Sequence, residues 1–466
     1  MNTKPLSAVS IEGIMAHLDA FQAIANANGG NRAAQNPGYN ASVDYVVSVL
    51  EAKTNYTVTV QPFNFEITEE NATPKFSQIS PSPVDYARYL EFNTLSYTGS
   101  GDFQASATDG GDGCSASSFV GFPSGNIAIV ARGDCDFSTK TDNAVAAGAM
   151  GVLIYNYEGQ GAFSGTLGST KSVPVFGISY DLGRSFIDTT ETPVLSMFCD
   201  MSVVTVYTSN VIADTTIGND GSVIVVGSHL DSVPEGPGIN DNGSGSATNL
   251  ELATELYRNN ATVLNKVRFA WWGAEELGLL GSSYYVAQAI ESGEINNIAM
   301  NLNFDMLASP NYFRGVYDGE GAAAGIRTGC VNIENLLTTF FDFDNKPWNL
   351  TEFTGRSDYG PFIENNIPAG GLFTGAEVIK PDNFRADYGG MANTAFDPCY
   401  HAHCDDIYNI DQEVLISNAK AAYYAVTTTS ATPLLDRWLT TAQQSPKDRV
   451  RAPHHALPTS NVFTKQ

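Results

Sequence analysis

Two histidines, three aspartates and two adjacent glutamates stand where predicted strands end. The apolar run 223–226 leads to His229 and Asp231, and a loop of Pro and Gly then sets down Asp241. The run 267–272 leads to Glu275 and Glu276, and 299–304 leads to Asp305. Far downstream, a segment flanked by Cys399 and Cys404 carries Tyr400 and His401. Imidazole nitrogen and carboxylate oxygen without thiolate suit zinc, with manganese or cobalt as substitutes. Five such groups sharing one carboxylate suit two ions about 3.5–4 Å apart.

The histidine census sharpens this reading. The chain has six: His17, His229, His401, His403, His454 and His455. Only His229 and His401 sit beside carboxylates at strand-end or loop positions; the others read as ordinary core or surface residues. Asp231, two residues beyond His229, can take the imidazole's other N–H and fix its tautomer. The Glu275-Glu276 pair follows an aromatic strand and precedes Leu-Gly-Leu-Leu-Gly, so solvation does not account for both. Successive side chains diverge, so Glu276 can bind a metal while Glu275 faces the water that a metal activates and takes its proton.

The elements that must position these groups follow a strand–helix alternation from residue 205 onward. Strands are expected at 223–226, 267–272 and 299–304, with helices at 247–258, 282–290, 333–341 and 413–429. That order predicts a doubly wound, mostly parallel sheet, whose ligands gather outside the carboxyl ends of the strands. The Gly243-Ser244-Gly245 elbow turns the chain from Asp241 into a helix. Upstream, helices over 11–27 and 42–51 and a strand over 56–67 fit the edge of the same domain. Between 92 and 203 glycine and small residues dominate, with short strands at 126–131 and 151–155 around an Ala-rich helix at 139–149.

Composition excludes some partners. Fifty acidic against 24 basic residues give a net charge of −26, which argues against nucleic acid or an anionic membrane. No run approaches the roughly 18 apolar residues of a membrane span. Residues 1–10 contain no apolar signal-peptide core, and the polar tail 441–466 reads as flexible. Six cysteines without a Cys-x-x-Cys pair, and sequons at Asn40, Asn55, Asn71, Asn242, Asn260 and Asn349, favour an oxidising compartment. The expectation is a secreted protein, or else one of the vacuolar lumen, and a monomer. Asn242 lies inside the candidate site, where a glycan would block it.

Two resemblances follow from these residues. Gly113-Cys114, the run 125–137 around Arg132-Gly133-Asp134-Cys135 and the run 143–149 resemble the protease-associated domain, in which Cys114 would pair with Cys135. Such inserts contribute no catalytic residues. His229-x-Asp231, Gly238-x-x-Asp241-Asn242-Gly243-Ser244-Gly245, Glu275-Glu276-x-Gly278-Leu279-x-Gly281-Ser282 and Asn303-x-Asp305-Met306 resemble the co-catalytic dizinc aminopeptidases of the aminopeptidase Y type. Gly355-Arg356-Ser357-Asp358 and Gly371-Leu372-Phe373-Thr374-Gly375 match the bacterial secreted leucine aminopeptidases in particular.

The resemblance implies a three-layer α/β/α zinc-peptidase domain with a mostly parallel mixed sheet, split as 1–91 and 204–440 around a small β-rich insert at 92–203. It implies that Asp241 bridges two zinc ions, His229 and Asp305 completing one and Glu276 and His401 the other. Glu275 would be the general base, Asp231 the orienter of His229, and Tyr400 a donor to the oxyanion. Arg356 would frame the substrate's amino end, with Phe373 beside it in the substrate site. A cis peptide is implied after Asp241, and a Cys399–Cys404 disulfide would hold Tyr400 and His401. Cys199 and Cys330 have no assigned partner. Tyr359, where many relatives have histidine, is expected at the pocket rim. The activity implied is removal of N-terminal residues, bulky and apolar ones such as Leu, from peptides with a free amino end. Its rivals are a carboxypeptidase or one-zinc glutaminyl cyclase on the same scaffold, and a receptor-like module that has lost its ligands.

Overall fold

A computed structural model describes residues 8–442, so the tail beyond 442 with His454 and His455, and residues 1–7, lie outside the described residues. The described chain forms two compact units, residues 8–64 with 207–442, and residues 65–206. It passes from one to the other within two long strands, Thr57–Ser80 and Val194–Asp214.

In the first unit the sheet is built around four parallel strands. Ala369–Phe373, Ile298–Phe304, Asn219–His229 and Asn265–Trp272 lie side by side in that order. Antiparallel pairing closes both sides, from Gly315–Tyr317 onto Ala369–Phe373 and from Val194–Asp214 onto Asn265–Trp272. Central strands covered on both faces are mostly apolar, and polar residues within them are paired, as Arg268 is with Asp214 and Glu294. Ile224, Val226, Phe269, Trp271 and Leu302 turn to one face, where Leu18, Leu250, Leu415 and Phe341 cover them. Val223, Val225, Ala270 and Trp272 turn to the other, against Tyr285, Val286 and Phe362. The result is the three-layer α/β/α arrangement with a mostly parallel mixed sheet. The parallel register puts His229, Trp272, Phe304 and Phe373 at one common edge.

Helix ends follow local chemistry. Ile11–Ala27 starts at Ser10, whose hydroxyl accepts from the Gly13 N–H at 3.0 Å. Pro37–Lys53 begins with proline at its first position behind an Asn36 cap. The side chain of Asp411 caps Gln412–Ser430 by accepting from Val414 N–H. The strand Thr57–Ser80 runs well past residue 67, where Glu69, Glu70 and Asn71 interrupt the apolar alternation while the backbone stays extended. Three short strands, Gly315–Tyr317, Asn349–Thr351 and Ala369–Phe373, carry no alternation that would have announced them.

In the second unit, residues 194–199 of Val194–Asp214 pair antiparallel with Gly101–Asp109. Gly101–Asp109, Ile127–Ala131, Gly151–Tyr155 and Val175–Ile178 are parallel neighbours, with Phe92–Thr94 antiparallel at the edge. Ile127, Ile129 and Leu153 pack on one side and Ala128, Val130 and Ile154 on the other. Cys114 and Cys135 are disulfide-bonded, while Cys199 and Cys330 are free and buried. Of the sequons, Asn242 and Asn349 are buried, whereas Asn40, Asn55, Asn71 and Asn260 are exposed.

His17 is buried in the first helix. Its Nδ1 meets the Tyr45 hydroxyl at 2.6 Å, and its Nε2 has no hydrogen-bond partner. Burial, with help from Lys53, lowers its pKa from 6.5 to about 4. Glu251 at 4.0 Å does not reverse this, because burial pushes that carboxyl up towards its neutral form. A depressed histidine stabilises the fold above its free value of 6.5, and that stability is lost as the pH falls towards 4. At about 1.4 kcal/mol per pH unit the loss approaches about 3 kcal/mol. Urea unfolding of the wild type and His17→Phe between pH 7 and pH 4.5 checks this. The variant is expected to lose less stability across that window.

Candidate metal centre

All the chemistry-bearing residues gather at the carboxyl edge of the first unit's sheet. His229 is the last residue of its strand. The chain then reaches Asp241 through a loop that ends in a cis Asp241–Asn242 peptide. Asn242 fastens this turn to the neighbouring strand. Its Nδ2 donates to the Phe304 carbonyl at 3.0 Å, and its Oδ1 accepts from Gly245 N–H and Met306 N–H. Gly245 is required here: a Cβ would lie 2.2 Å from the Phe304 carbonyl oxygen. The elbow therefore lets the helix Gly245–Arg258 start against the strand that delivers Asp305.

Asp241 lies between two imidazoles. Its Oδ1 is 3.2 Å from His229 Nε2, and its Oδ2 is 3.2 Å from His401 Nε2. Asp305 Oδ1 approaches His229 Nε2 at 3.5 Å, and Glu276 Oε2 approaches His401 Nε2 at 3.0 Å. Two triads with ligand atoms mutually within 4.8 Å result, His229–Asp241–Asp305 and Asp241–Glu276–His401. A third, His229–Glu275–Glu276, overlaps them. Glu275 Oε2 stands 3.8 Å from His229 Nε2.

Supporting contacts fix these groups. The Asp231 carboxylate accepts from Glu275 N–H at 3.1 Å and Glu276 N–H at 3.3 Å, so it anchors the backbone of both glutamates. His229 Nδ1 is 3.1 Å from the Asp231 carbonyl oxygen and 3.6 Å from its carboxylate. Ser357 donates to Asp305 Oδ2 at 2.6 Å and accepts from Asn303 at 2.8 Å. The Cys399–Cys404 disulfide closes a tight loop in which His401 takes a left-handed φ of 54°. Tyr400 stacks on His401 at 3.8 Å, and its hydroxyl accepts from Arg356 Nη2 at 3.3 Å. Arg356 Nη1 in turn donates to Glu377 at 2.7 Å. Phe373 is half-buried against the ring of Phe313, at the end of its own strand. Tyr359 is buried beneath the Arg356 loop rather than at a rim, and its hydroxyl accepts from Gly355 N–H at 2.9 Å.

The electrostatics show what a cation would relieve. Burial opposes charge on His229, yet Glu275 and Asp305 raise its pKa well above 6.5. Burial likewise opposes charge on His401, and Glu276 and Asp241 lift it to about 11. Burial and the Asp241 charge push Glu276 up to about 7, and burial raises Glu275 well above its ordinary range. Glu276 Oε1 and Asp305 Oδ1 are buried without a hydrogen-bond partner. Buried carboxylates converging on one another, with lone pairs unspent, fit divalent cations.

Comparison with known proteins agrees with this geometry. A model of peptidase family M28 matches residues 210–426, and a PA domain model matches 100–186. An aminopeptidase of Pseudomonas aeruginosa is 41% identical over 457 residues, covering 94% of this chain and 84% of its own. Leucine aminopeptidase 2 of Trichophyton tonsurans is 35% identical over 429 residues, covering 90% and 84%. Among solved structures, an aminopeptidase from Aneurinibacillus sp. strain AM-1 superposes with a TM-score of 0.76 at 25% identity, over 91% of this chain and 95% of that one. A zinc aminopeptidase from Bacillus subtilis gives 0.64 at 25% identity, over 90% and 94%. The chain belongs to peptidase family M28 and carries a PA domain. Within that family it is a metallo-aminopeptidase.

From the sequence, Asn242 and Ser357 are legible only as members of their motifs, and Glu377 and Asp405 have no assigned role, because their partners lie far away in the sequence. If the two triads hold zinc, adding zinc to chelator-treated protein should raise its unfolding midpoint with the logarithm of zinc concentration. The gain reaches about 4 kcal/mol at a thousandfold excess over Kd. Calorimetry of the wild type and Asp241→Asn measures it. A midpoint that ignores zinc in the wild type would count against the assignment.

Proposed function

We propose that this chain is a secreted, two-zinc aminopeptidase that removes bulky apolar residues such as Leu from free peptide N-termini. The observation that carries the two-metal reading is Asp241, whose two carboxylate oxygens face different imidazoles at 3.2 Å each. In this reading His229 and Asp305 join Asp241 around one zinc, and Glu276 and His401 join it around the other. Bound zinc supplies Lewis acidity and brings the pKa of water towards about 7.

The protein groups do the remaining work. Glu275, buried and 3.8 Å from His229, takes a proton from the attacking water at its carboxylate and delivers it to the leaving amine nitrogen. Asp231 keeps Glu275 and Glu276 in place through their amides. The Tyr400 hydroxyl, held by Arg356, donates to the oxygen that gains charge as the carbonyl is attacked. Arg356 frames the substrate's amino end, and Phe373 lends apolar surface for its side chain. The leucine preference rests on the relatives named for it. Secretion is supported by two disulfides, an acidic surface and the four exposed sequons, which would carry glycans. The insert, taken as 92–203, would serve substrate access or interaction and contribute nothing to the chemistry.

Leucine p-nitroanilide hydrolysis tests the mechanism. Glu275→Gln is expected to lower kcat by about 10²–10⁴-fold while zinc content stays at the wild-type level. Chelation should abolish the wild-type rate, and zinc should restore it. A Glu275→Gln enzyme with an undiminished kcat would refute the assignment of the base.

A further inference from the structure

Asp241 can face two imidazoles only if the loop before it is held still. That loop, residues 230–241, has its backbone groups taken by two buried side chains from distant parts of the chain. Arg32, fully buried, reaches it from the segment after the first helix. Its Nε donates to the Pro237 carbonyl at 3.0 Å, its Nη2 to the Gly238 carbonyl at 2.7 Å, and its Nη1 to the Leu230 carbonyl. The main chain joins in, with Arg32 N–H donating to Ser232 Oγ at 2.9 Å.

Asp405, also buried, takes the other side of the same loop. Its Oδ1 accepts from Asn240 N–H at 2.8 Å, and its Oδ2 accepts from Asp241 N–H at 3.0 Å. Its backbone carbonyl accepts from Ile239 N–H at 2.9 Å. Asn409 donates to Asp405 Oδ1 at 3.0 Å and to both oxygens of Asp397, which in turn accepts from the Asn240 amide at 2.6 Å. Asp405 follows Cys404 directly, so it lies on the loop that carries His401. The loop's carbonyls thus meet the guanidinium of Arg32 and its amides meet the carboxyl oxygens of Asp405.

We propose that Arg32 and Asp405 are positioning residues that clamp the Asp241 loop from opposite sides and thereby set the zinc affinity of the centre. The proposal rests on the metal-centre reading above. Residues that orient metal ligands typically govern affinity by 10–100-fold, and Asp405 governs two at once, the backbone of Asp241 and the loop of His401. Asp405→Asn keeps the shape but turns an N–H₂ group towards a backbone N–H. Arg32→Lys keeps the charge but loses the fork that reaches three carbonyls.

The experiment uses the full chain and competition for zinc against a chromophoric chelator, with the thermal midpoint of the chelator-treated protein as the second readout. Each variant is expected to bind zinc about 10–100-fold more weakly than the wild type. Its metal-free midpoint is expected to move by less than about 4 °C. If the affinity is unchanged, or the metal-free midpoint falls in step with it, the residues only support the fold and the clamp is overturned. Should Asp405→Asn fail to fold, Arg32→Lys carries the same two readouts. A wild-type chain that takes no zinc from the chelator would sink the metal-centre reading itself, and the clamp with it.

Discussion

Bringing buried carboxylates within a few ångströms of one another is costly. Asp241, Glu275, Glu276 and Asp305 gather at the sheet edge around His229 and His401. Desolvation alone disfavours each of them, and their mutual repulsion adds to it. Such a cluster persists because everything around it is over-determined, and because a divalent cation reverses the sign of the interaction. The scaffold follows from that constraint. Parallel strands buried on both faces give an edge that does not flex, and four strand ends deliver their residues to it.

The supporting polar groups are used sparingly and at long range. Asp231 fixes the two glutamates through their amides, and Asn242 ties the Asp241 turn to the Asp305 strand. Ser357 holds Asp305, and Arg356 connects Tyr400 to Glu377. Each of these takes up a hydrogen-bonding group that would otherwise be buried unpaired. The same contacts leave the ligand oxygens of Glu276 and Asp305 free for a metal.

Much of this was legible in the sequence, for physical reasons. Strands buried on both faces read as largely apolar runs, so 223–226, 267–272 and 299–304 marked where the sheet edge would lie. Metal-binding side chains are rare types in rare places, and His229 and His401 stood out among six histidines. The short strands Gly315–Tyr317 and Asn349–Thr351 were not legible, because three residues give no period to read. Asp405 and Arg32 were equally silent. Their partners are backbone groups about 165 and 200 residues away, and a backbone group leaves no trace in the residue type. Tyr359 was read as a rim residue, but its hydroxyl takes a buried amide beneath the Arg356 loop.

The passage of the chain through a separate unit between residues 64 and 207 carries a consequence for timing. The Arg32 segment precedes that unit, yet its side chain binds carbonyls at 230, 237 and 238, and Gln22 of the helix Ile11–Ala27 accepts from Ile407 N–H. Contacts of such sequence separation form late, after the cost of closing long loops has been met. The ligand set at the sheet edge is therefore complete only when the Cys399–Cys404 loop, which carries His401, has docked on it.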